Sequence, residues 1–137
     1  MGKSLNNAIY LGDPEDVLKK KVKQMYTDPN HIKVEDPGKV EGNPVFIYLD
    51  AFGADVQKIA ELKDHYRRGG LGDSVVKNYL FEELNKFLTP IRERRAAFSK
   101  DKGEVLRLLM EGTRKAYAKA EETLQEVKKV MHLDYKF

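Results

Sequence analysis

From Val105 to Met131 an apolar or small residue recurs at every third or fourth position: Val105, Leu109, Gly112, Ala116, Ala120, Leu124, Val127 and Met131. Only a helix, with about 3.6 residues per turn, gathers such a set on one side, because a strand alternates faces at every residue. Small residues sit mid-stripe, where a neighbouring helix can approach closely. A long amphipathic helix must bury its stripe against other elements, and the rest of the chain supplies further helices.

Upstream, Asp13 is a candidate cap, Pro14 fits a first helical position, and Glu15 and Asp16 suit the positive end of a helix dipole. With Leu18, Val22 and Met25 in phase, a helix is expected over 14–26, ended by Asp28-Pro29. Residues 27–42 hold Pro29, Pro37, Gly38 and Gly42 with little periodicity. They form a long loop, and that length suggests a function or docking on another part of the protein. Asn43-Pro44 repeats the start signal before Val45, Tyr48, Leu49 and Phe52; a buried strand over 45–49 is the alternative, and the start signal favours a helix. A third helix is expected at about 55–68 with Val56, Ile59, Leu62 and Tyr66, closed by Arg67-Arg68-Gly69-Gly70. Asp73 would cap a fourth carrying Val76, Leu80, Leu84, Phe87 and Ile91, which Pro90 should kink or end early. The first twelve residues read as a loop with at most one brief extended segment. The fold class is all-α, a bundle of about five helices behind an N-terminal loop.

Hydrophobic residues make up 41% and charged residues 34%, as in a globular protein. No repeat is present, no apolar run could span a bilayer, and no signal-peptide pattern appears, so cytoplasm is the expected location and no membrane partner is. The absence of cysteine excludes disulfides, thiolate metal sites and cysteine nucleophiles.

A net charge of +3 does not announce nucleic acid, but the basic residues cluster. Lys19, Lys20, Lys21 and Lys23 crowd the first helix, Arg67 and Arg68 close the third, and Arg92, Arg94 and Arg95 lie late in the fourth. Between Lys63 and Arg95 eight basic residues face five acidic ones. Arginines at helix ends can donate bidentately to phosphates or stack on bases. The plainer alternative is a solvated helix face, with Glu82, Glu83 and Glu93 near enough to pair. At the start, Gly2, Lys3 and Ser4 combine close backbone approach, an ammonium and a hydroxyl, which can reach an anion; a frayed terminus is the other reading. His31, His65 and His132 lack metal-site spacing and read as ordinary surface or half-buried residues. Asp36, Asp50 and Asp73 sit near turns or helix ends, where capping explains them. No nucleophile constellation is visible.

Several motifs in order carry a resemblance. Met1-Gly2-Lys3-Ser4 followed by Leu5-Asn6-Asn7-Ala8-Ile9 resembles the Lys-Met-Ser-Lys-Ser loop of class I aminoacyl-tRNA synthetases and its continuation. Met25–Pro29, Asp36–Phe46, Tyr48–Phe52, Tyr66–Asp73 and Pro90–Arg95 resemble the tryptophanyl-tRNA synthetase family, and the likeness runs from residue 1 to at least residue 98. The resemblance implies the C-terminal part of a bacterial enzyme that joins tryptophan to ATP and passes it to its tRNA. A Rossmann catalytic domain would precede it, the parent would be a homodimer, and this chain alone would be inactive. It further implies that residues 1–12 end the catalytic domain and that 13–137 form a helical anticodon-binding domain. Lys3 would match the loop lysine that stabilises charge on the phosphates of ATP, bound with Mg2+, and Ser4 the closing serine; Gly2, Lys3 and Ser4 together would bind ATP. Arg92, Arg94 and Arg95, then Arg67 and Arg68, are the expected tRNA contacts. Two departures stand out: Gly2 replaces the usual serine, and the leading lysine is absent. Some relatives hold an iron–sulfur cluster near the Gly-Gly-Leu-Gly turn; without cysteine this chain holds none. The competing expectation is a stand-alone helical module that binds RNA or protein.

Overall fold

The computed structural model describes residues 7–135, and five helices and no strand are found among them: α1 Glu15–Lys23, α2 Pro44–Phe52, α3 Val56–Arg68, α4 Asp73–Lys100 and α5 Lys102–Val130. The all-α expectation holds. The chain divides into two compact units, residues up to Glu93 and residues from Arg94 onward.

The first unit owns the core. Leu18 and Val22 of α1, Val45, Phe46 and Leu49 of α2, Ile59 and Tyr66 of α3, and Val76, Leu80, Leu84 and Leu88 of α4 are buried together. The Asn43-Pro44 start signal works as its chemistry suggests, and the structure adds a cap at Asp55. Asn43 Oδ1 accepts the Val45 N–H at 3.0 Å ahead of Pro44, and Asp55 Oδ1 accepts the Lys58 N–H at 2.9 Å. The Val45–Leu49 run is helical, which closes the strand alternative.

Four expectations are corrected. Asp13 does not cap α1: its Oδ2 takes the Lys21 ammonium at 2.6 Å and the Tyr10 N–H at 2.9 Å, a stronger charged partner two turns along the helix. Helix α1 stops at Lys23 rather than 26, because the buried Lys77 ammonium from α4 draws the Met25 carbonyl (2.7 Å), the Lys23 carbonyl (3.4 Å) and Thr27 Oγ1 (2.7 Å) to itself. Pro90 does not end α4, which runs ten residues further to Lys100. Helical hydrogen bonding resumes beyond it, and the nearby Asn85 carbonyl accepts from Thr89 Oγ1 at 2.7 Å and from Arg92 at 3.4 Å. The α4 stripe runs through Leu88, while Phe87 remains 45% exposed against the Phe52 ring.

Four carboxylates in this unit lie below their ordinary pKa values, Glu41 among them through its side-chain contact with Arg67. For Asp13, burial pushes upward but is outweighed by the Lys21 ammonium and the Tyr10 N–H. Asp28 is held down by the N–H groups of Asn30 and Lys39, and Glu83 by the Ala54 N–H and then the Lys86 ammonium. A folded-state value below the unfolded one makes the stabilisation complete above the ordinary carboxylate range and removes it as pH falls through that range and lower. Denaturation midpoints should therefore drop steadily from about pH 6 to about pH 3. Asp28→Asn should flatten part of that profile, and an unchanged slope would remove Asp28 from the set.

Candidate nucleic-acid interface

The long loop over 27–42 docks on the helical body itself, against the end of α3. The Gly38 N–H donates to the Tyr66 carbonyl at 2.8 Å, and the Gly70 N–H to the Val34 carbonyl at 2.6 Å. Gly69 and Gly70 turn the chain with φ of +85° and +95°, which lets the loop backbone come close. A Cβ on Gly69 would lie 2.1 Å from the Glu35 carbonyl oxygen, and one on Gly38 would lie 2.2 Å from the Tyr66 ring.

Tyr66 is the pivot. It is fully buried, meets the rings of His31 and Phe46 edge-on at 4.8 and 5.1 Å, and donates its hydroxyl to Asp73 Oδ1 at 3.0 Å. Burial, then the Asp73 carboxylate, pushes the phenol above its ordinary value, so it stays a donor. His31, read from sequence as ordinary surface or half-buried, is a core residue instead. Its Nδ1 lies 3.4 Å from Asp73 Oδ2, beyond good hydrogen-bond geometry. Asp73 opens α4 while accepting the Tyr66 hydroxyl.

The arrangement leaves Arg67 and Arg68 exposed on the last turn of α3. Arg67 spans Glu41 at 2.8 Å and Asp64 at 3.2 Å, while Arg68 Nε reaches only the Asp64 carbonyl at 3.4 Å. The other arginine group separates by role. Arg92 turns inward, donating to the Asp13 carbonyl (3.2 Å), Thr89 Oγ1 (3.1 Å) and both oxygens of Asn85, and so ties the start of α1 to α4. Arg94 and Arg95, in the second unit, are exposed, and neither guanidinium has a hydrogen-bond or ion-pair partner among the described residues. On α1, Lys21 is consumed by Asp13 and the Ala8 carbonyl, and Lys19 lies over the Phe81 ring.

A depression of about 450 Å3 is lined by Lys23, Thr27, Asp73, Ser74, Lys77 and Asn78, and its buried ammonium is already bound to backbone and hydroxyl oxygens. No cluster of three potential metal ligands occurs among the described residues. Gly2, Lys3 and Ser4, the expected phosphate-binding residues, lie outside them.

A helical body that presents exposed arginines leaves the choice of partner to kinship. The profile described as "tRNA synthetases class I (W and Y)" matches residues 1–89. The chain belongs to this synthetase family. Within it, the tryptophan–tRNA ligase of Streptococcus pneumoniae is 58% identical over 98% of the chain, and that of Streptococcus agalactiae 56% identical over the same share. The crystal structure of tryptophanyl-tRNA synthetase from Campylobacter jejuni, complexed with ADP and tryptophan, superposes with a TM-score of 0.76 at 29% identity over 97% of the chain. The chain spans about 40% of the length of these streptococcal relatives and 41% of the Campylobacter one. What sequence reasoning missed is the split within Arg92–Arg95. At 100° per residue Arg92 lies about 160° from Arg94 but only about 60° from Arg95, so spacing alone does not separate it from the pair, and its inward partner, Asp13, lies 79 residues away.

Proposed function

We propose that this chain is the helical, tRNA-facing portion of a tryptophan–tRNA ligase, with residues 13–137 meeting the anticodon end and residues 1–12 closing the catalytic part. The observation that carries the proposal is the exposed, unpaired state of Arg94 and Arg95 on a chain of this family. A guanidinium with no internal partner gives up nothing when it binds a phosphate or stacks on an unpaired base, whereas Arg67 must first release Glu41. Arg94 and Arg95 are therefore the principal contacts, Arg68 is secondary, and Arg92 acts by holding α4 against α1. Gly2, Lys3 and Ser4 would approach the phosphates of ATP, a substrate of the parent reaction, with charge supplied by Lys3. The parent enzyme is a cytoplasmic homodimer, and the chain alone performs no tryptophan activation.

Binding of labelled tRNA for tryptophan, followed by fluorescence anisotropy across a salt series, tests the assignment. Arg94→Glu with Arg95→Glu should weaken binding about tenfold or more at low salt and reduce the salt slope by roughly 2. Arg67→Ala should cost less, and unchanged slopes in the double variant would remove α4 from the interface.

A further inference from the structure

The depression of about 450 Å3 lies wholly within the first unit, where α1 ends and α4 begins. Its buried member is the Lys77 ammonium, which donates only to neutral oxygens: the Met25 carbonyl and Thr27 Oγ1 at 2.7 Å each, and the Lys23 carbonyl at 3.4 Å. No carboxylate pairs with it among the described residues. Burial pushes this ammonium below its ordinary pKa, against the pull of the Asp73 carboxylate. A buried cation without a paired counter-ion is costly, and an anion seated in the depression would offset that cost.

The rest of the lining supplies free donors. The side chains of Lys23, Ser74 and Asn78 are exposed, and none has a hydrogen-bond or ion-pair partner among the described residues. Asp73, the carboxylate of the lining, is engaged elsewhere: Oδ1 accepts the Tyr66 hydroxyl at 3.0 Å and Oδ2 lies 3.4 Å from His31 Nδ1. Two ammonium groups against one engaged carboxylate attract an anion and repel a cation. The donor types narrow the choice of anion. A planar carboxylate is matched by the fork of an arginine, and the lining holds none. An ammonium, a hydroxyl and an amide bordering one space suit a phosphate, whose oxygens point in several directions. Exposed donors hold a free ion weakly, but a phosphate on a strand already tethered by other contacts arrives at high effective concentration. Arg68, an RNA contact in the assignment above, and Ser74 stand on either side of the turn that joins α3 to α4.

Resting on that assignment, we propose that this depression seats one phosphodiester of the bound tRNA backbone, a contact in the first unit that is additional to Arg94 and Arg95. Fluorescence anisotropy of the 137-residue chain with tRNA for tryptophan, joined to phosphate-ethylation interference, tests it. Lys23→Gln should weaken binding about fivefold at low salt and reduce the salt slope by roughly 1. Ser74→Ala with Asn78→Ala should weaken it about tenfold and leave the slope unchanged, since no charge is lost. Both effects should be the same for a tRNA with a replaced anticodon, because a phosphate carries no base identity. Lys20→Gln, on the same helix but outside the depression, should matter less than Lys23→Gln. Ethylating one particular phosphate should hinder binding to the parent chain and cease to matter in the Lys23→Gln, Ser74→Ala, Asn78→Ala triple variant.

Parental affinity in the depression variants, equal effects of Lys20→Gln and Lys23→Gln, or one ethylation pattern for parent and triple variant would overturn the proposal and leave Arg94 and Arg95 standing. So would inorganic phosphate, at matched ionic strength, erasing the difference between the parent and Lys23→Gln, which would give the depression to a free anion. If the depression variants weaken binding while anticodon replacement and Arg94→Glu with Arg95→Glu do not, the anticodon assignment falls and the phosphate contact stands. A parent chain that binds no tRNA would strike both.

Discussion

Gly69→Ala is expected to lower the stability of the first unit by about 3 kcal/mol or more, the largest effect of any single methyl group in this chain. Two independent penalties combine. The backbone sits at φ +85° and ψ 165°, a region that residues with a Cβ scarcely enter, at a cost of about 1–3 kcal/mol. The new methyl would also stand 2.1 Å from the Glu35 carbonyl oxygen, a backbone atom with no rotamer to change. Relief requires the loop to lift, which threatens the Gly70–Val34 hydrogen bond and the seat of Tyr66. Gly42→Ala is the internal control, since it has a similar φ of +78° but open space around its Cβ. It should cost only about 1 kcal/mol. Equal losses in urea titrations of the two variants would show that the close approach of loop and turn does not hold.

Lys21→Met should be nearly as damaging, by about 3 kcal/mol. The ammonium is buried between Asp13 Oδ2 at 2.6 Å and the Ala8 carbonyl at 2.8 Å, so its loss strands a carboxylate in the interior. Burial then dominates the Asp13 environment and raises its pKa, where the Lys21 contact had helped hold it down. The sign of the pH response identifies the cause. Protonating Asp13 relieves the stranded charge, so the deficit of Lys21→Met relative to the parent should shrink as pH falls below about 5. A deficit independent of pH would mean that lost packing, not charge, is responsible. The same variant frees the segment around Ala8, which leads toward the expected phosphate-binding residues.

Both sites show where sequence was informative. Features governed by neighbours in the chain were legible: the Asn43-Pro44 helix start, the glycine stop after Arg68, and the stripe of α5 all follow from spacing and backbone chemistry. Features decided by distant partners were not. Asp13 looked like a cap until Lys21 took its oxygen, and α1 lost its expected last turn to Lys77, more than fifty residues away. His31 carried no sign of burial, because its pocket is made by Tyr66 and the start of α4. Pro90 was expected to interrupt α4, yet helical bonding resumes beyond it. Among the arginines, composition marked the cluster and only packing separated the inward Arg92 from the outward Arg94 and Arg95.

The proposed function turns on recognition of a particular RNA by the helical body. Its most direct measurement compares the affinity of the 137-residue chain for tRNA for tryptophan with its affinity for the same tRNA carrying a replaced anticodon, at fixed moderate salt. Base-edge contacts predict binding weaker by about tenfold for the altered RNA. Identical affinities, or no binding to either, would contradict an anticodon-reading role for this chain.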